Sequence, residues 1–165
     1  MCARRAVHVV NETDTQRLSD RADIHDLLAR VALAQDGHDW EALADCFRPD
    51  AVYAHPGGEL IGVDTIVHRS RTALSRLDAS QHLLGTTLTT VDGQEAAAVS
   101  YFQAQHVRRG TPGGDLYVIA GTYEDRLVRD DGHWRIVHRT QRYTWRDGNP
   151  EVTRRTADRE EETGA

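Results

Sequence analysis

Apolar residues recur at intervals of three and four in the first half of the chain and at intervals of two in the second half. Leu18, Ile24, Leu27, Leu28, Val31 and Ala32, with a Ser19/Asp20 cap candidate, predict an amphipathic helix that closes near Asp36-Gly37, where the glycine is a natural C-terminal stop. Asp39 then caps a short second helix carrying Trp40, Leu43, Ala44 and Phe47 as far as Pro49. AVYAHPGGELIG (51–62) alternates around Pro56-Gly57-Gly58 and predicts a β-hairpin. A third helix is expected from Asp64, using Ile66, Val67, Leu74 and Leu77.

Beyond Ser80 the period becomes two. HLLGTTLTTV (82–91), EAAAVSYFQAQHVRR (95–109), DLYVIAGTYEDRLVR (115–129) and HWRIVHRTQRYTW (133–145) are expected strands, punctuated by Asp92-Gly93, a GTPGG loop at 110–114 and Asp131-Gly132. Asp-Gly between alternating runs is a hairpin signal. Helices followed by consecutive hairpin strands define an α+β fold in which a long antiparallel sheet curls over helices and leaves a concave space. The expected organisation is a flexible N-terminal arm over residues 1–17, one domain over 18–147 and a polar, disordered tail over 148–165.

Composition narrows the function. The chain has 165 residues and a formal net charge of −6, and all its basic residues are arginine. Its arginines are dispersed and outnumbered by acids, so the basic footprint of a nucleic-acid binder is missing. No apolar run approaches a bilayer span and the N-terminus lacks a secretory h-region, which gives the expectation of a cytoplasmic protein with no membrane partner. Cys2 and Cys46 make neither a disulfide framework nor a zinc quartet. His133 and His138 fall on opposite faces of a strand and no H-E-x-x-H spacing occurs, so no metal is expected.

Candidate chemistry lies elsewhere. Asp36 closes a helix, where the dipole favours cations, so another group should hold it. His82 shares a strand face with Leu84, Thr86 and Leu88; His106 shares one with Ala98, Phe102 and Ala104. Both can line an apolar concavity. A carboxylate on one imidazole nitrogen fixes the tautomer and raises basicity at the other, as removal of a proton alpha to a carbonyl requires. A second, protonated histidine can donate to a departing hydroxyl. Tyr123 lies on one face with Tyr117, Ile119 and Gly121, where it can present a phenol to a ligand and Gly121 can make room for one.

The stretches LLARVALAQDGHDWEALADCFRPDAVY, SQHLLG and AGTYEDRLVRDDGHWRIVHR resemble the nuclear transport factor 2-like superfamily and, within it, the SnoaL-like group that includes scytalone dehydratase. The resemblance covers about residues 18 to 147 and implies a cone-shaped α+β barrel with a pocket at its wide end. It also implies roles: Asp36 as catalytic aspartate, His82 and His106 as the two histidines, and Tyr53 as a tyrosine that helps hold a carbonyl-binding water. Gln35 stands where the family has its other water-holding tyrosine, and Tyr123 where it has a pocket asparagine. The dehydrochlorinases of the superfamily keep an aspartate and a histidine at the positions of Asp36 and His82.

The expectation is therefore an acid–base enzyme without a cofactor, acting on a small apolar carbonyl or polyketide-like compound. Elimination of water is favoured, with Asp36, His82, His106 and Tyr53 catalytic and Tyr123, Gln35, Phe102 and Gly121 binding substrate. Ring closure or double-bond isomerisation is the enzymatic rival, and a non-catalytic ligand-binding or scaffolding module is the rival of another class. Val99, Tyr101 and Val107, on the face opposite the pocket, suggest a homo-oligomer, a dimer or trimer.

Overall fold

The computed structural model describes residues 12–154. The chain runs α1 (Glu12–Asp36), α2 (Trp40–Asp45), β1 (Phe47–His55), β2 (Gly58–Ile61), α3 (Val63–Leu74), β3 (Ala79–Asp92), β4 (Glu95–Val107), β5 (Leu116–Asp130) and β6 (His133–Gly148), and ends on a 3-10 turn, Pro150–Val152. The strands form one curved sheet in the order β2-β1-β6-β5-β4-β3, and its two edges do not meet. Every neighbouring pair is antiparallel except β1 and β6, which are parallel, so the expected curved antiparallel sheet packed by helices is present, with one parallel pair and open edges. Among the described residues no helix is long and apolar enough to cross a membrane.

The helices cover the concave face. Ile24, Leu27, Leu28 and Val31 of α1 are buried against Leu43, Phe47, Ile66, Leu127, Trp134 and Ile136. Leu18, expected on that stripe, is 63% exposed. It is six residues before Ile24, well off the buried face at 100° per residue, whereas Asp20 is one turn before Ile24 and is buried. Asp20 is thus no helix cap. Its carboxylate accepts from Gln16 and Arg129 inside a helix that already begins at Glu12. Residues 12–17 of the expected flexible arm are therefore helical, and the rest of the arm lies outside the described residues.

Asp39 does cap α2, accepting from the Ala42 N–H at 3.0 Å. That helix ends before Phe47, which opens β1, and Pro49 is inside the strand. A missing N–H is tolerated there because the β1–β6 register slips between Phe47 and Val52 and β2 pairs only from Val52 onward. On β3, Thr86 takes φ 44° at a bulge that sets Gly85 opposite Tyr101 and Thr87 opposite Ser100. The bulge reverses the faces: His82 and Leu84 look inward, but Leu88 looks out beside Val99 and is 68% exposed, which corrects the face expected for it. Tyr101 is also exposed on this outer face, and Val107 is half-buried.

The expected tail begins too early at residue 148. Val152 is fully buried with Leu74, Leu77 and Tyr117, and the Arg76 guanidinium donates to the backbone carbonyls of Thr153 and Arg154. One apolar side chain behind a proline-started turn is enough to dock this segment. Residues 155–165 lie outside the described residues.

Candidate active site

The C-terminal end of α1 meets the start of β3. There Asp36 Oδ1 accepts from the His82 ring at Nδ1 (2.6 Å) and from the Ser80 hydroxyl (2.9 Å), while Oδ2 accepts from the His82 backbone N–H at 2.7 Å. Period two puts Ser80 and His82 on one face of the strand, so a single carboxylate reaches both. These donors hold Asp36 where the helix dipole alone would not. Burial pushes its carboxyl pKa up, but the hydrogen bonds from His82 and Ser80 outweigh that and leave it below the ordinary carboxylate range. An ionised carboxylate only accepts, so the proton on His82 resides at Nδ1 and Nε2 carries the free lone pair.

His82 lines a cavity of about 190 Å³ together with Gln35, Tyr53, Phe102, His106 and Tyr123. Sheet register explains the assembly. His82 pairs with Ala104 on β4 and Ala104 with Ile119 on β5; one step on, Ser80 pairs with His106 and His106 with Tyr117. The His82 and His106 rings are 6.1 Å apart, edge to face.

His106 Nδ1 lies 3.3 Å from the Tyr117 carbonyl, an acceptor, so the ring donates there and turns an unprotonated Nε2 elsewhere. Burial, and the proximity of His82, bring its pKa down to about 4. His106 is therefore neutral at neutral pH, which corrects the expectation of a protonated histidine ready to donate.

Tyr53 and Tyr123 meet on the far side of the cavity. Burial raises the phenol pKa of Tyr53 well above its ordinary value and that of Tyr123 to about 12, so both keep their protons. The two phenols interact with each other, and the Gln141 amide N–H donates to the Tyr123 oxygen at 3.5 Å. With its oxygen accepting from Gln141, the Tyr123 O–H can donate to a bound molecule. Phe102 stacks on the Tyr123 ring at 4.3 Å and fixes its plane. Behind it, the buried Arg139 guanidinium lies 4.3 Å from the same ring and makes a two-pronged ion pair with Asp125 at 2.7 and 2.9 Å.

Gly121 departs from expectation. A Cβ there would lie 1.8 Å from the Arg142 carbonyl oxygen, because β6 bulges against β5 between Ala120 and Gly121. The space this glycine leaves is filled by the neighbouring strand's backbone, not by a ligand.

Several lining groups were not among the expected residues. Ser80 was legible as the i−2 partner of His82. His55, Arg69, Gln141, Tyr143 and Thr153 add further polar groups to the wall. Arg69 follows Ile66 by three residues on α3, at the rim of its buried stripe, which a helical projection reveals only once the neighbour is known. Arg139 is opposite Asp125 across β5–β6 and opposite Tyr53 across β1–β6, pairings that depend on register. Among the described residues no three His, Cys, Asp or Glu side chains gather as metal ligands. A larger, more open depression of about 1000 Å³ lies between α1 and the β3–β4 turn, but its buried carboxylate, Asp20, is already tied to Gln16 and Arg129.

A family model described as a SnoaL-like domain matches residues 16–140. The chain belongs to the SnoaL-like family. This SnoaL-like chain is 31% identical over 140 residues to terrestric acid biosynthesis cluster protein E of Penicillium crustosum, a match covering 82% of this chain and 90% of that one. Among solved structures it resembles a scytalone dehydratase-like protein from Novosphingobium aromaticivorans (22% identity, TM-score 0.74, 83% and 91% of the two chains). It also resembles a hexachlorocyclohexane dehydrochlorinase from Novosphingobium barchaimii (19% identity, TM-score 0.73, 86% and 98%). These likenesses establish the fold as nuclear transport factor 2-like.

Proposed function

We propose that this SnoaL-like protein is an acid–base lyase that removes water from a small β-hydroxy carbonyl compound. The observation that carries the proposal is the Asp36–His82 pair, with Nδ1 held by the carboxylate and the ring lining a cavity that a Tyr123 hydroxyl also lines. His82 Nε2 takes the proton from the carbon alpha to the carbonyl, and the C–H electron pair moves into the enolate. Tyr123 donates to the developing enolate oxygen, with Gln141 donating in turn to Tyr123 and the Tyr53 phenol beside it. The enolate then expels the β-hydroxyl group, which leaves as water with the proton now on His82 Nε2. One imidazole thus takes a proton from carbon and gives a proton to the departing hydroxyl, exchanging with solvent in between, and Asp36 stabilises the imidazolium.

His106, neutral with a lone pair at Nε2, accepts from the substrate hydroxyl and aims it toward His82. Gln35 and Phe102 complete the substrate wall. The names of the similar proteins support this direction, since one belongs to a biosynthesis cluster and others are named for elimination reactions.

The test is solvent deuterium incorporation at the alpha carbon of small cyclic β-hydroxy ketones, followed by NMR. Exchange accompanied by an unsaturated ketone supports the lyase. Exchange on a β,γ-unsaturated ketone offered alongside, with its double bond moved into conjugation and no loss of oxygen, identifies an isomerase using the same base. Binding without exchange identifies a module that holds its ligand without chemistry.

A further inference from the structure

The cavity has an electrostatic character that the rest of the molecule lacks. The chain carries a net charge of −6, yet no carboxylate lines the cavity, and Asp36 is turned toward His82 and Ser80. Its one group of fixed charge is the guanidinium of Arg69. Arg69 is half-buried, and among the described residues it has no ion-pair or hydrogen-bond partner. Its sequence provides none on the helix either, since the positions three and four residues away are Thr65, Ile66, Thr72 and Ala73. The two arginines most deeply buried in ion pairs are matched by carboxylates, Arg129 by Asp20 and Arg139 by Asp125.

The surroundings of Arg69 are aromatic and cationic. It acts electrostatically on both His55 and Tyr143, and a second guanidinium, Arg146, lies 4.9 Å from the Tyr143 ring. Arg69, His55 and Leu60 also line a shallower depression alongside, so this corner is the threshold between the inner cavity and solvent. A half-buried guanidinium on the wall of a cavity without carboxylates offers its free donors to a ligand, and its planar fork is best matched by a two-oxygen anion.

We infer that the substrate is an organic acid whose carboxylate is held by Arg69 at the cavity threshold while its carbonyl-bearing end reaches His82 and Tyr123. This rests on reading the cavity as the substrate site, and it adds the substrate's charge and its orientation. Arg69 is then a specificity-determining residue, binding the acid end without touching the reacting carbon.

The experiment compares trans-cinnamate with trans-cinnamamide at neutral pH by calorimetric titration of the full chain. The two share ring, double bond and length and differ in charge. Cinnamate is expected to bind roughly tenfold to a hundredfold more tightly, the range for a hydrogen bond to a charged group. Arg69→Met, which keeps the apolar stem, abolishes the preference while leaving cinnamamide binding unchanged, and Arg69→Lys retains part of it. Failure of cinnamate to bind more tightly than cinnamamide, whether both bind or neither does, overturns the inference, as does a preference that survives Arg69→Met. The two proposals fail separately: the cinnamate preference is read as binding without turnover and depends on Arg69, whereas deuterium exchange depends on the Asp36–His82 base and its phenol partners.

Discussion

Asp36 grips His82 at two points, with one carboxylate oxygen on the ring Nδ1 at 2.6 Å and the other on the backbone N–H of the same residue at 2.7 Å. The backbone N–H is a fixed donor that cannot rotate away. In Asp36→Asn the amide oxygen must therefore face it, which turns the NH₂ group toward the ring and selects the tautomer with hydrogen on Nε2. His82 is then no base toward the cavity, and kcat/KM is expected to fall by roughly 10²- to 10⁴-fold. His82→Ala loses about as much, and the double variant little more, because the two act as one unit. Steady-state kinetics on the three variants checks this; multiplicative losses from the single changes would show that the residues work independently.

The low pKa of His106 makes stability depend on pH in a defined window. Its folded value is about 4 against an ordinary 6.5, so between those values the unfolded chain binds a proton that the folded chain does not. Stability is full above pH 6.5, declines as pH falls toward about 4 and levels off below it. The loss is on the order of 3 kcal/mol. Asp36, whose carboxyl is held below its ordinary value, adds a further loss in more acid solution as pH falls through that lowered value. Urea unfolding at stepped pH should show the first decline in the wild type and its flattening in His106→Gln.

Much of the frame was legible because it rests on local periods. The switch from helical to alternating pattern near Ser80 located the helices and all four long strands, and Gly37 and Asp39 marked the turn that ends α1 and opens α2. What periodicity misses is what register and burial decide. The Thr86 bulge reverses the face of Leu88, and no residue type in TTLTT announces it. The parallel β1–β6 pairing, which brings Arg139 beside Tyr53, joins segments more than eighty residues apart. The three-residue pattern Ser80-Gln81-His82 put two donors on one face, whereas the neutrality of His106 follows from desolvation, which only packed neighbours create.

The two phenols are expected to contribute unequally. Tyr123 contributes the free O–H and should cost roughly 10²- to 10³-fold in kcat when replaced by Phe, the range for an oxyanion donor. Tyr53→Phe removes the phenol beside Tyr123, one step away from the substrate carbonyl, and should cost less than Tyr123→Phe, with KM little changed. A larger loss at Tyr53 would mean that it, and not Tyr123, meets the carbonyl oxygen.

Asp125 and Arg139 should matter for folding more than for chemistry. Their side chains are 0% and 2% exposed, so removing one partner strands the other charge in the interior. Asp125→Ala is expected to destabilise by about 3–5 kcal/mol. Replacing both, Asp125→Leu with Arg139→Met, should recover much of that loss, since a buried pair exchanged for apolar residues of similar volume is close to neutral. Chemical denaturation of the single and double variants decides the point, and a double variant no more stable than the single would show that the pair contributes net stability.

The C-terminal turn offers a test that separates folding from function. Val152 fills a niche between Leu74, Leu77 and Tyr117, while the neighbouring Thr153 lines the cavity. Val152→Ala removes buried methyl groups and should cost roughly 1–3 kcal/mol, with the turn itself the first part to loosen because its other ties are polar contacts to Arg76 and Asn149. Since Thr153 is part of the wall and no part of the proton path, the expected signature is a raised KM with kcat nearly unchanged. A kcat loss in Val152→Ala equal to the loss in kcat/KM would place this turn in the transition-state machinery instead of the cavity wall.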